Sequence, residues 1–88
     1  MKTVTLALTH YNRFNLLLEC ISPVLNDPRI GEIVISDDCS TDGSYERLCD
    51  HFAADSRVRL FQNERNLDCY FNKREAVLQA SSDWVILF

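Results

Sequence analysis

The stretch Ile33-Val-Ile-Ser-Asp-Asp-Cys-Ser-Thr-Asp-Gly-Ser44 decides the fold that we predict for this chain. Three β-branched apolar residues lead into two adjacent carboxylates, and turn-forming and helix-capping residues follow them. This order predicts a buried strand that ends at Asp37 and Asp38, on the carboxyl edge of a sheet where open α/β sheets bind ligands. The plainer interpretation is a polar strand end whose Asp and Ser residues cap the next helix, and these residues alone leave both open.

The composition describes one small globular domain. The chain has 88 residues, 47% of them hydrophobic and 25% charged, with a net charge of −4 and a pI near 4.9. The acidic balance argues against a nucleic-acid partner. No apolar run is long enough to span a membrane and the first residues lack a signal-peptide pattern, so we predict a cytoplasmic protein.

The four cysteines are widely spaced and form no Cys-x-x-Cys pair. Free thiols are therefore expected rather than disulfides or a zinc site. Cys20 and Cys49 fall at apolar helix positions and are predicted to be small core residues. Cys39 follows the acidic pair, and an exposed, reactive thiol is one interpretation of that position.

Four strands alternating with three helices are predicted from the hydrophobic pattern. The strands are residues 3–9, the stretch that ends in Asp37-Asp38, residues 57–62 and residues 84–88. The helices are residues 15–25, a helix opened by Ser40 to Asp42, and residues 69–80. In the last helix we expect Phe71, Val77 and Leu78 to face the core.

The connections decide how these strands are arranged. Crossovers that contain a helix imply parallel pairing, and charged residues alternate with apolar ones along residues 57–60, which predicts an edge strand. With right-handed crossovers, the strand order is 3-2-1-4 in a three-layer α/β/α domain. Strand one is then central, and Thr9, His10 and Tyr11 lie beside Asp37 and Asp38 at the topological switch point.

The side chains expected at this switch point suit a nucleotide. Tyr11 can stack on a base, an acid can accept a hydrogen bond from a base N–H, and cations can neutralise phosphate. The candidate cations are Arg13, Arg65, Lys73 and Arg74, of which the last three could instead form a solvated face. The Gly-x-Gly-x-x-Gly and P-loop motifs are absent, which disfavours a dinucleotide or ATP held by backbone amides.

Three further polar residues have plainer expected roles. His10 and His51 are predicted to be solvated rather than metal ligands, because no partner His or Cys stands at metal-binding spacing. Asp42 is expected to cap a helix.

Over essentially all 88 residues, these motifs together resemble the family 2 glycosyltransferases with the GT-A fold. Residues 9–13, Thr-His-Tyr-Asn-Arg, are similar to that family's Thr-x-Tyr-Asn-Arg, and residues 37–44 are similar to its Asp-Asp-x-Ser-Thr-Asp-Gly-Ser. Asn63 and Asn66 resemble its polar loop after the third strand. Residues 80–88 resemble the lead-in to its metal-binding Asp-x-Asp.

The resemblance implies a Rossmann-like GT-A half-domain that binds a nucleotide-sugar, most often a UDP-sugar, for transfer to an acceptor hydroxyl on a glycan, lipid or protein. Thr9 and Tyr11 would line the base pocket, with the Tyr11 ring against uracil. Asp38 would accept a hydrogen bond from uracil N3–H, and Asp37 would support the site.

The same resemblance implies how the diphosphate is handled. Arg13 and Lys73, the latter standing where the family usually has Arg or Lys, would lie near the ribose or diphosphate. Full-length relatives use Mg²⁺ or Mn²⁺ on the leaving diphosphate and a later carboxylate as base, and they invert the anomeric centre. Asp68 departs from the usual Gly and adds negative charge near the diphosphate path.

The chain stops at Phe88, within an apolar strand, so we expect it to be part of a longer protein. The metal-binding motif and the catalytic base would then lie beyond Phe88, and the chain alone would hold no metal and catalyse nothing. It would bind nucleotide weakly and self-associate through its last strand.

Two other classes of protein compete with this interpretation. A non-catalytic nucleotide-binding or interaction module on the same scaffold remains the alternative. A phosphoacceptor receiver domain is disfavoured, because its acidic pair follows the first strand rather than the second.

Overall fold

A computed structural model describes residues 4–65, 74, 76–80 and 84–87. Its elements are β1 (Val4–His10), α1 (Phe14–Ile21), β2 (Ile30–Asp37), α2 (Ser44–His51), β3 (Val58–Gln62) and β4 (Trp84–Leu87). Residues 74 and 76–78 are also helical and belong to the predicted third helix, the rest of which lies outside the described residues.

The four strands form one parallel sheet in the order β3-β2-β1-β4. This confirms the predicted α/β class and strand order, including the edge position of β3. β1 and β2 pair along their whole lengths, from Val4 opposite Ile30 to His10 opposite Asp37. The two central strands therefore end side by side, which puts the loops that follow them next to each other.

One face of the sheet is apolar and packs against α1 and α2. Along β1 and β2 every second residue points to this face. These residues join the apolar side chains of the two helices in one buried core, comprising Leu6, Leu8, Leu17, Ile21, Ile33, Ile35, Leu48 and Phe52. Fully burying each such side chain contributes about 1.5–3 kcal/mol.

The opposite face carries a row of polar side chains across three strands. Thr5 donates a hydrogen bond to the carboxylate of Glu32 at 2.8 Å, and Arg59 donates to the same carboxylate at 3.2 Å. Arg59 also donates to the backbone carbonyl of Gln79 at 2.8 Å, and Ala76 is completely buried. The third helical segment therefore covers this face, which gives the predicted three layers.

Helix α1 is shorter than predicted. It ends at Ile21 rather than near Leu25, and residues 22–26 form turns. Pro23 explains the early end, because a proline has no N–H to continue the helical hydrogen bonds. Leu16 belongs to the apolar stripe that helical spacing predicts for this helix, but it is 49% exposed. None of the helices in the described part of the chain is long and apolar enough to cross a membrane.

Four further side chains predicted to lie in the core are exposed or only half-buried. Val77 and Leu78 are 40% and 60% exposed, because the third helical segment turns its small residue, Ala76, toward the sheet. Cys20 is exposed and Cys49 is half-buried, so an apolar helix position was a poor guide to thiol burial. Phe71, the other predicted core residue of that helix, lies outside the described residues.

Candidate functional site

The candidate site lies where β1, β2 and β3 end together. The backbone amide of Asp38 donates to the carbonyl of His10 at 2.8 Å, so pairing continues one residue past the end of β2. The amide of Asn63, just after β3, donates to the carbonyl of Asp37 at 2.8 Å. Three chain segments therefore leave the sheet from one fixed edge, as the strand order requires.

Asp37 is the buried centre of this edge, with no solvent exposure. Its carboxylate accepts hydrogen bonds from His10 Nδ1 at 2.6 Å, from the amide and hydroxyl of Ser40 at 2.8 and 2.5 Å, and from Gln62 Nε2 at 3.2 Å. Burial opposes ionisation of this carboxyl, but these donors outweigh it and hold the pKa of Asp37 below its usual value. The Asp37 carboxylate therefore holds together the end of β1, through His10, and the segment after β2, through Ser40.

His10 is buried, which corrects the prediction that it is solvated. The residue is 4% exposed, and its ring lies between two partners. Because the Asp37 carboxylate only accepts, Nδ1 of His10 carries the proton that is shared with it. The other ring nitrogen, Nε2, accepts a hydrogen bond from the backbone amide of Arg13 at 3.1 Å. These two bonds define a neutral imidazole protonated at Nδ1.

His51, by contrast, is exposed as predicted. Its ring packs edge-on against Phe14 and Phe52, with centroid separations of 5.9 and 4.7 Å. It lies at the end of α2 and takes no part in the polar edge.

Asn12 joins the two loops from the solvent side. Its backbone has a left-handed φ of 51°, which is more accessible to Asn than to most residues. Its side-chain carbonyl accepts hydrogen bonds from the backbone amides of Thr41 and Asp42 at 2.8 and 3.3 Å. The backbone amide of Asn12 donates to Ser40 Oγ at 2.9 Å. The β1–α1 loop is therefore tied to the β2–α2 loop at several points.

Asp42 does not occupy the predicted cap position, because Gly43 is the N-cap residue of α2 and no side chain caps this helix. Its carboxylate accepts from both the amide and the hydroxyl of Ser44, the first residue of α2. These bonds lower the pKa of Asp42. This carboxylate therefore bonds to the first residue of the helix from one position before the N-cap, so the prediction was right about the region and wrong about the role.

The structure brings four of the six predicted donor-site residues into these two loops and the ends of their strands. Tyr11 is 41% exposed, Arg13 is exposed at the start of α1, and Asp37 is the buried support described above. Asp38 is 4% exposed, and its carboxylate accepts a hydrogen bond from Asn63 Nδ2 at 3.1 Å.

Thr9 and Lys73 are the other two predicted residues. Thr9 is half-buried within β1, opposite Ser36 in the register and one residue before the strand ends. Lys73 lies outside the described residues.

No metal site is formed by the residues that the structure describes: they contain no group of three or more His, Cys, Asp or Glu side chains that could hold an ion. Asp37 and Asp38 are consecutive, but their carboxylates accept hydrogen bonds from different protein donors.

His10, Asn12 and Asn63 have structural roles that the sequence reasoning did not assign. A register argument could have found His10, because a polar residue that ends a buried central strand faces the residue that ends its neighbour. Asn12 and Asn63 belong to motifs on which the family resemblance rests, but their hydrogen-bond partners depend on loop conformation.

Together these features define a Rossmann-like α/β domain with a polar edge at its switch point, the place where open α/β sheets bind ligands. The model of a family described as Glycosyl transferase family 2 matches residues 5–88, and the chain belongs to this family. This confirms the resemblance drawn from the sequence motifs.

Comparison with solved structures gives the same fold. The crystal structure of S. aureus TarS matches with a TM-score of 0.79 and 23% sequence identity. The match covers 100% of this chain and 16% of the TarS chain, so this chain spans about a sixth of that protein's length. A search of curated protein sequences finds no significant match.

Proposed function

We propose that this chain is the donor-nucleotide-binding part of a glycosyltransferase that transfers a sugar from a UDP-sugar to an acceptor hydroxyl. Membership of glycosyl transferase family 2 supports glycosyl transfer in general. The nature of the donor is supported by the chemistry of the polar edge, as follows.

The observation that carries the proposal is the fixed juxtaposition of Tyr11 and Asp38. The amide of Asp38 is bonded at 2.8 Å to the carbonyl of His10, which belongs to the peptide that leads into Tyr11. Tyr11, which is 41% exposed, and Asp38 therefore lie at equivalent positions, each just after the end of its strand. A pyrimidine needs these two contacts, a surface on which to stack and an acceptor for its N3–H.

The buried state of Asp38 sets a condition on binding. Its carboxylate already accepts a hydrogen bond from Asn63 Nδ2 at 3.1 Å. A base that bonds to Asp38 therefore shares the carboxylate with Asn63 or displaces it. In either case the side-chain amide of Asn63 reports occupation of the site.

The diphosphate is expected on the Arg13 side of this edge. Arg13 is exposed and directly precedes α1, and the first turn of that helix contains no acidic residue. Helix amino termini present unpaired backbone N–H groups and favour anions. In the proposal Lys73 contributes a second positive charge, and Thr9 lines the base pocket.

A divalent cation, an inverting outcome and a separate catalytic base complete the proposed reaction. The cation, Mg²⁺ or Mn²⁺, would stabilise the leaving diphosphate. Because the described residues contain no suitable cluster of ligands, we assign no residue to the cation and none to the base.

The proposal is tested by titrating the chain with UDP and following its backbone and side-chain amides by NMR, with and without Mg²⁺. Saturable shifts are expected at residues 9–13, 37–40 and at the side chain of Asn63, with little dependence on Mg²⁺. Asp38→Asn removes the charged acceptor and is expected to weaken binding about tenfold, a difference of ~1.4 kcal/mol.

Asp50→Asn is the matched control, because it makes the same change on an exposed position of α2. It should bind UDP as the unaltered chain does. An unaltered chain that is folded but gives no shifts at millimolar UDP contradicts the proposal, as does equal weakening by both variants.

We further propose that the chain self-associates through β4. Among the described strands β4 pairs only with β1, and its Ile86 side chain is 47% exposed. Unpaired strand edges favour association. Light scattering should show a dimer or larger species that Ile86→Lys reduces, whereas a monomer at high micromolar concentration would exclude it.

A further inference from the structure

We infer that His10 is a positioning residue for the nucleotide: its neutral ring fixes the three-residue loop that places Tyr11 beside Asp38. This inference rests on the function proposed above. The family motif Thr-x-Tyr-Asn-Arg leaves the position of His10 unspecified, and His10 is buried beneath the edge that would contact a ligand.

The ring of His10 closes the β1–α1 loop upon itself. The carbonyl of His10 is held by the amide of Asp38 at 2.8 Å, and Nε2 of its ring is held by the amide of Arg13 at 3.1 Å. Tyr11 and Asn12 lie between these two anchored points. Hydrogen bonds to His10 therefore restrain the backbone on both sides of Tyr11.

The same ring links this loop to the neighbouring one. Nδ1 of His10 donates to Asp37 at 2.6 Å, and the same carboxylate accepts two hydrogen bonds from Ser40 in the β2–α2 loop. Both side chains of the His10–Asp37 pair are completely inaccessible to solvent. A buried, fully bonded pair of this kind gives a single geometry, because each broken bond would leave a buried polar group unsatisfied.

Both ring nitrogens are needed for this role, and each can be removed separately. The side-chain amide nitrogen of Asn stands near the position of Nδ1, so His10→Asn can retain the bond to Asp37 and lose the bond to Arg13. The longer side chain of Gln brings its carbonyl near the position of Nε2, so His10→Gln can retain the bond to Arg13 and lose that to Asp37. His10→Phe removes both while keeping a planar ring.

The test combines UDP affinity with two measurements made without nucleotide. In the unaltered chain, ¹⁵N spectra of the imidazoles should show His10 as the Nδ1–H tautomer. In His10→Phe, ¹⁵N relaxation should show greater mobility of the Tyr11 and Asn12 amides. The dissociation constant for UDP should rise about tenfold in His10→Phe and about threefold in His10→Asn and His10→Gln.

His51→Gln is the matched control, since this exposed histidine lies outside the polar edge. It should change none of these quantities. If His10→Phe does not fold, the two amide variants and the tautomer carry the test.

The outcomes separate this inference from the proposed function. UDP binding by the unaltered chain together with undiminished affinity in folded His10 variants overturns the inference alone. Failure of the unaltered chain to bind UDP overturns the proposed function, and the positioning of Tyr11 is then judged from the relaxation data. An Nε2–H tautomer, or unchanged mobility of Tyr11 and Asn12, overturns the inference in either case.

Discussion

The side-chain carbonyl of Asn12 accepts a hydrogen bond from the backbone amide of Thr41 at 2.8 Å, across the gap between two loops. The amide nitrogen of the same side chain donates to Thr41 Oγ1 at 3.2 Å. Below this contact, the buried pair of His10 and Asp37 joins the same loops at the ends of their strands. The candidate site is therefore held both from the interior and from the solvent side.

Replacement of Asn12 is expected to destabilise the fold in two separable ways. Asn12→Ala loses the side-chain bonds to Thr41 and Asp42 and places an alanine at a φ of 51°, at a total cost of about 2 kcal/mol. Asn12→Gly loses the same bonds but adopts this φ freely, so it should cost about 1 kcal/mol. Urea unfolding of both variants measures the difference, and equal costs would show that backbone conformation is unimportant there.

Acid is expected to destabilise the protein in part through Asp37. The pKa of this carboxyl is lowered in the folded state, so the folded protein binds fewer protons than the unfolded chain. The stabilisation is fully present above the carboxyl's ordinary pKa, near 4, and is lost as pH falls through the folded-state value. Urea midpoints measured from pH 7 to pH 3 should fall for the unaltered chain.

Asp37→Asn provides the test of this assignment. It should have a lower urea midpoint than the unaltered chain at pH 7, because a charged acceptor is lost, but a smaller further decrease on acidification. Asp50→Asn, which makes the same change on the exposed part of α2, should retain the full decrease. If Asp37→Asn is as sensitive to acid as the unaltered chain, other carboxyls are responsible.

Two surface turns offer such carboxyls. Asp27 and Asp55 each accept hydrogen bonds from the backbone and guanidinium of the arginine two residues later, just before β2 and β3. The side-chain bond from Arg29 lowers the pKa of Asp27 to about 2, and that from Arg57 lowers the pKa of Asp55. Both turns are Asp-x-Arg sequences before a strand, a pattern visible in the sequence.

The sequence was most informative where burial determines structure. The runs in β1 and β2 predicted parallel central strands, and the alternation in β3 predicted an edge strand, because the number of buried faces sets these patterns. Thiol burial at Cys20 and the direction of Val77 and Leu78 were predicted wrongly. Helical spacing tells which residues share a face, but the packing of the whole domain decides which face is covered.

The site was predictable in position more than in detail. The carboxyl ends of β1 and β2 follow from strand order, so Tyr11 and Asp38 could be placed together. The burial of His10 depends on its register with Asp37 and on the amide of Arg13, a contact three residues along the chain. Such contacts arise from a particular loop path, which composition and periodicity do not encode.

The thiols are expected to react in an order different from the one the sequence suggested. Cys20 is exposed on α1, whereas Cys39 is half-buried and its Sγ lies 3.7 Å from the carbonyl of Glu64. Because access limits alkylation, iodoacetamide should modify Cys20 before Cys39 and Cys49 in the native chain. Peptide mapping by mass spectrometry identifies the order among these three thiols, and Cys20→Ser should remove the fastest labelling among them; faster labelling of Cys39 would contradict the prediction.

At Gly43, immediately before α2, there is room for a side chain, but the backbone conformation is one that residues other than glycine adopt with strain. Its φ is 83°, and a Cβ built there meets no atom within 4 Å. Gly43→Ala should therefore cost about 1 kcal/mol of unfolding free energy from backbone strain alone. Gly43→Asn should cost less, because Asn adopts left-handed conformations more readily. Urea unfolding measures both, and the shift in midpoint should leave the slope unchanged, since no contact in the fold is altered. A larger loss with Asn than with Ala would indicate a steric limit instead, because Asn is the bulkier residue.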